Sequence, residues 1–274
     1  MIWDIVALSA IASLGTGLGG LIAVIRQPGK RMFGLLMGVT AGVMITLSFV
    51  DLVNHAIELA GVWTTTLGFA LGAFFMLAMD IAIPHIRFGE KEFDVFKKRE
   101  PARRLDDFGH RRRRWGWKSE TRITDVNLLK TGLFVALGIA IHNTPEGIAV
   151  GAGYAHTPAF GVFIAAAITL HNIPEGIATA LPLYKAGMSK RRAAATALLS
   201  GLTEPIGALL AGFALTLFDT LIPAALAFAG GVMVFITLDE LIPVAREHGH
   251  QHYTAVGIIL GAVFVFVLSG ALGV

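Results

Sequence analysis

The chain has 274 residues, 55% of them hydrophobic and 15% charged, with a net charge of +3 and a mean hydropathy of +0.70. Soluble globular domains carry about 25% charged residues, so this composition excludes that class and leaves an integral membrane protein. The absence of cysteine excludes disulfides and thiolate metal ligation.

Eight apolar runs approach the ~20 residues that a helix needs to cross a bilayer. They lie at about 3–25, 33–53, 64–84, 128–151, 159–184, 193–217, 221–243 and 253–273. The expected fold class is therefore all-α, with 1–274 forming a single transmembrane domain. The first run opens Met-Ile-Trp-Asp, with no basic region and no Ala-x-Ala site, and is expected to be a retained span with Trp3 as an interfacial anchor. Span 2 carries Asp51, His55 and Glu58 at helical spacing near one end, an acidic stripe that would concentrate cations at a pore mouth if it is more than a solvated helix end. Asp80 and His85 close span 3.

Between spans 3 and 4, residues 86–127 form the one long polar segment. It is rich in arginine, with Lys97-Lys-Arg99 and His110-Arg-Arg-Arg-Arg114 followed by Trp115 and Trp117. Charge alone permits nucleic-acid binding, but a juxtamembrane basic cluster is better matched to anionic lipid headgroups. Further basic residues follow span 1 (Arg26, Lys30, Arg31), span 5 (Lys185, Lys190, Arg191, Arg192) and span 7 (Arg246). With eight spans, all 22 Lys and Arg fall on one side. The positive-inside rule makes that side cytoplasmic and both termini extracytoplasmic, as in a multi-pass protein of the cell (inner or plasma) membrane.

Spans 4 and 5 repeat one phrase 29 residues apart: His142-Asn-Thr-Pro-Glu-Gly147 and His171-Asn-Ile-Pro-Glu-Gly176. Imidazole, amide and carboxylate groups at membrane depth are expensive and mark a functional site by default. Positions i, i+1 and i+4 share one helix face, so His142, Asn143 and Glu146 make one patch, and His171, Asn172 and Glu175 another. Facing each other, they offer the mixed nitrogen and oxygen ligands that Zn²⁺ and its neighbours prefer. The alternative is a pair of packed polar contacts cross-linking two helices. Pro145 and Pro174 each remove a backbone donor, which predicts a kinked or loosened helix at each motif. Two such segments running in opposite directions form an inverted pair, a recurrent secondary-transporter design. Span 6 adds Glu204 beside Pro205; it either joins the same cavity or is a buried neutral carboxyl bonded to Thr203 or a neighbouring helix. Asp239 and Glu240, near the end of span 7 and before Pro243, are candidates for a cytoplasmic exit. His248, His250 and His252 form a tract of the kind that binds metal weakly.

With both His-Asn-x-Pro-Glu-Gly phrases and Glu204-Pro205, the chain resembles the ZIP (Zrt-, Irt-like) family of divalent-metal transporters, in its bacterial ZupT-like branch. The resemblance covers nearly the whole chain, including Asp-Glu-Leu-Ile-Pro in span 7. It implies a three-plus-two-plus-three helix arrangement with inverted repeats, an elevator-like movement and a homodimer. It also implies a binuclear centre. His142, Glu146, His171 and Glu175 would hold the first ion, and Asn143, Asn172 and Glu204 the second, with Glu146 and Glu175 bridging. Many members carry a histidine-rich long loop, whereas this one is arginine-rich with only His110.

The function expected is uptake of divalent metal, Zn²⁺ first with Fe²⁺, Mn²⁺, Co²⁺ and Cd²⁺ as other candidates, with no organic cofactor. No nucleotide-binding phosphate loop is present. A metal-selective channel would use the same residues. An intramembrane metalloenzyme is disfavoured, since His-Glu-x-x-His is absent.

Overall fold

The computed structural model describes residues 1–82 and 123–274; His85 and residues 86–122 of the basic segment lie outside this range. The described residues are helical with no strand, in chain order α1 (Ile2–Arg26), α2 (Lys30–Thr46), α3 (Asn54–Ala82), α4 (Val126–His156), α5 (Pro158–Lys185), α6 (Lys190–Gly201), α7 (Thr203–Leu217), α8 (Ile222–Ile236), α9 (Ile242–His248) and α10 (Gln251–Leu272). Among them, seven helical runs are long and apolar enough to cross a membrane. The chain is thus an all-α membrane protein.

The pattern of burial is that of a protein dissolved in lipid. On α1, Ile11, Leu14, Leu18, Leu21 and Ile25 recur at i, i+3 and i+4 and are exposed, while Ser9, Ser13, Thr16, Gly19 and Ala23 on the opposite face are buried. Branched apolar side chains thus point out, and small or polar ones point in. That arrangement suits hydrocarbon, where close packing of small residues drives helix association. The principal pairings are α1 on α5, α4 on α7, α2 on α10 and α3 on α8, with α4 and α5 also against each other.

The two motif prolines do not end their helices. Pro145 and Pro174 sit inside α4 and α5, and helix continues on both sides of each. Threonines from neighbouring helices support the weakened turns. Thr203 donates to the Ala140 carbonyl at 2.6 Å, and Thr40 to that of His171 at 3.2 Å. Backbone groups at membrane depth persist when protein partners of this kind surround them.

The true breaks are at Gly61, Leu202 and two π-helical turns. Spans 2 and 3 belong to one run, Lys30–Ala82, broken at Gly61, whose φ of 77° and ψ of 170° are open only to glycine. Span 6 is split at Leu202 because Pro205 has no N–H for the Gly201 carbonyl. The π turns are Leu47–Val53, between α2 and α3, and Thr237–Leu241, between α8 and α9. Each is entered by a hydroxyl bonded four residues back, Ser48 to the Met44 carbonyl at 2.6 Å and Thr237 to the Met233 carbonyl at 2.7 Å.

Candidate metal site

The glycine that ends each repeated phrase seats its helix. A Cβ on Gly147 would lie 1.9 Å from the Glu204 carbonyl oxygen of α7, and one on Gly176 would lie 1.9 Å from the Thr16 carbonyl oxygen of α1. Only glycine allows either approach, and each brings a second helix against the ligand-bearing turn. The motif thus specifies its packing partner as well as its chemistry.

Between α4 and α5 the two phrases meet. His171 Nε2 lies 3.1 Å from Glu146 Oε1, a contact across the two copies. Ligand atoms of Glu146, His171 and Glu175 all fall within 4.8 Å of one another, and all three residues are buried. Both oxygens of Glu175 and the second oxygen of Glu146 have no hydrogen-bond partner among the described residues. Three unpaired carboxylate oxygens in a protein interior are costly unless something positive joins them. The donor set is two carboxylates and an imidazole, of the kind that holds Zn²⁺ at about 2.0–2.2 Å after a small inward adjustment.

His142, the fourth residue expected at the first position, is turned toward Glu240. Its Nε2 is 3.3 Å from Glu240 Oε1, without hydrogen-bond geometry. Glu240 therefore stands beside the motif of α4, nearer the centre than its assignment with Asp239 to an exit suggests. Within the π turn Thr237–Leu241, Glu240 is buried while its neighbour Asp239, on another face of the helix, is exposed.

The residues expected at the second position form a connected polar layer. Asn172 Nδ2 donates to Glu204 Oε2 at 2.9 Å and to the Ala12 carbonyl at 3.2 Å. Asn143 Nδ2 donates to the Ser200 carbonyl, left over at the end of α6, at 3.1 Å. Both amide groups are thereby oriented with Oδ1 buried and unpartnered among the described residues. Glu204 is not bonded to Thr203, which turns to α4; its second partner is Ser9 on α1, at 3.1 Å. Ser9 gave little signal in the sequence, only its place with Ser13 and Thr16 on one face of span 1.

The stripe of Asp51, His55 and Glu58 is graded in burial. Asp51 is buried in the first π turn with Oδ2 unpartnered. His55 is half-buried, its Nδ1 2.9 Å from the Asp51 carbonyl, and its ring stacks on Phe160 with His156 edge-on. Glu58 is exposed and accepts from Asn54 Nδ2 at 3.0 Å. Asp80 is buried at the end of α3. His250 and His252 are exposed, with ring centroids 5.7 Å apart.

Comparison with known proteins agrees with this architecture. A family model described as ZIP zinc transporter matches residues 90–269. The chain is similar to the zinc transporter ZupT of Chlorobium phaeovibrioides, 40% identical over 93% of this chain and 92% of that one. It is also similar to ZupT of Oceanobacillus iheyensis (37%, over 95% and 94%) and to zinc transporter ZTP29 of Arabidopsis thaliana (36%, over 93% and 89%). A buried imidazole–carboxylate centre between two copies of one motif, in a sheath of lipid-facing helices that aligns end to end with these relatives, makes the chain a member of the ZIP family in its ZupT-like branch, a multi-pass membrane transporter and not an enzyme.

Proposed function

We propose that the protein takes up divalent transition-metal ions, zinc first, into the cytoplasm through a binuclear site midway across the membrane. The observation that carries this reading is the buried meeting of Glu146, His171 and Glu175 with carboxylate oxygens left unpaired. His142 completes the first position by turning from Glu240, and Asn143, Asn172 and Glu204 hold the second, bridged by Glu146 and Glu175. The carboxylates make a 2+ ion tolerable in low dielectric, and the imidazoles set the preference for zinc over harder ions. Fe²⁺, Mn²⁺, Co²⁺ and Cd²⁺ are secondary substrates. Because the imidazoles must be neutral and the carboxylates ionised to ligate, protons compete with the metal. A membrane potential of about 100 mV favours entry of a divalent ion by roughly 4.6 kcal/mol, so influx needs no nucleotide.

The topology we propose has eight crossings. The Lys30–Ala82 run has 53 residues, which at ~1.5 Å per residue is about 80 Å, far beyond a ~30 Å core. Turning back at Gly61 divides it into two spans and keeps every Lys and Arg on the cytoplasmic side, with both termini outside. Residues 1–274 then form one transporter domain, and the basic loop 86–127 faces anionic headgroups.

Inverted repetition extends beyond spans 4 and 5. Gly42-Val-Met44, Ser48 and Asp51 recur 189 residues later as Gly231-Val-Met233, Thr237 and Glu240, each set running into a π turn. Exchanging the first three spans with the last three, and span 4 with span 5, carries α1 on α5 into α7 on α4, and α2 on α10 into α8 on α3. This supports the three-plus-two-plus-three arrangement. Asp51, with His55 and Glu58, then serves the outer approach, while Glu240 and Asp239 serve the inner one. Alternating access moves the site-bearing helices α1, α4, α5 and α7 against the other two pairs, in a homodimer.

Proteoliposomes loaded with a zinc dye test the proposal. A carrier gives saturable zinc flux that Glu175→Ala abolishes. Flux that rises without saturation favours a channel built on the same residues, and normal flux in Glu175→Ala removes the site.

A further inference from the structure

Serine and threonine in apolar helices ordinarily return their hydroxyl to a carbonyl of their own helix. Ser13, Ser48, Thr169, Thr179 and Thr237 all do so here. Ser9 does not. It is fully buried on α1, and its hydroxyl crosses to α7 to donate to Glu204 Oε1 at 3.1 Å, between residues 195 apart in the chain. The other oxygen of Glu204 takes the Asn172 amide, and that amide is itself anchored to α1 through the Ala12 carbonyl. One turn of α1, which has no ionisable residue between Asp4 and Arg26, thus holds two of the groups assigned to the second metal position.

We infer that Ser9 is a positioning residue for metal binding: its hydroxyl fixes the Glu204 carboxylate in the orientation the second ion requires. This rests on the transport reading above. Each Glu204 oxygen accepts one hydrogen bond from a neighbouring helix and retains a lone pair for a cation. Removing the hydroxyl leaves Oε1 without a donor and the carboxylate restrained from one side only. Outer hydrogen-bond partners of ligands act in this way, and their loss typically costs 10–100-fold in metal affinity without removing the site.

The test is zinc binding to the purified, detergent-solubilised protein, by competition with a fluorescent zinc chelator, together with proteoliposome uptake. Ser9→Ala should raise the half-saturating zinc concentration roughly tenfold, with the maximal rate held within about twofold. Ser9→Gly should give the same shift, so that the effect follows the hydroxyl and not the packing. Ser9→Thr, which restores a donor, should recover most of the affinity. In a Glu204→Gln background, Ser9→Ala should add no further shift, and the binding measurement reads this cycle even if that background carries no flux. Wild-type affinity in Ser9→Ala, or an equal shift in the Glu204→Gln background, overturns the inference. If Ser9→Ala behaves as wild type while Glu175→Ala is inactive, only the role of Ser9 fails; if Glu175→Ala transports normally, the transport reading fails first.

Discussion

Glu175 is the residue on which the proposed metal site turns, because neither of its oxygens has a hydrogen-bond partner among the described residues. Glu175→Ala should abolish zinc uptake while membrane expression, checked by immunoblot, stays at the wild-type level. Glu204 differs in kind. Its oxygens accept from Ser9 and Asn172, and Asn172 keeps a second anchor at the Ala12 carbonyl, so part of the layer survives its loss. Glu204→Ala should therefore alter rate or the zinc-to-cadmium selectivity more than it abolishes flux, as competition uptake across the two metals would reveal. Complete loss of zinc flux would show instead that the second position is obligatory. These residues were legible in the sequence because ionisable groups within apolar spans have few structural explanations. Ser9 was not, since a serine in a membrane helix usually satisfies itself within its own turn.

At the level of elements, the phrase His-Asn-x-Pro-Glu-Gly also sets how its helix packs. Its last residue admits a neighbouring helix to backbone contact, at Glu204 for Gly147 and at Thr16 for Gly176. Gly147→Ala and Gly176→Ala should each destabilise the protein by about 1–3 kcal/mol through overpacking, seen as a lower melting temperature of the detergent-solubilised protein. Gly29→Ala, where nothing lies within 4 Å, should be near neutral. The prolines of the same phrase were expected to kink or loosen α4 and α5; helix is assigned on both sides of each. Glu240, paired with Asp239 in the sequence, lies 3.3 Å from His142. Its approach to α4 was not legible, because a π turn such as Thr237–Leu241 has no distinct composition.

For the whole molecule, the absence of cysteine allows a direct test of the eight-crossing topology. Single cysteines at Trp3 and Val274 should react with an impermeant maleimide on intact cells. One at Lys190, between spans 5 and 6, should react only after permeabilisation. Labelling of all three from the same side would mean an even number of crossings between Trp3 and Lys190, and the orientation drawn from the basic residues would fall with it. The lipid-facing stripe of α1 and the small-residue faces buried behind it already fit a molecule whose solvent on its flanks is hydrocarbon.

Composition and the repeated phrase determined that this is a helical membrane protein with a polar centre in spans 4 and 5, because apolar length and misplaced polarity are local properties of a chain. The approach of Glu146 to His171 was anticipated in the facing phrases; the further partners of that centre were decided by tertiary structure. Ser9 reaches Glu204 and Glu240 reaches His142 across 195 and 98 positions of chain. Such meetings depend on which helix backbones can approach closely and how each is rotated, and both are set by the glycines and the π turns acting together.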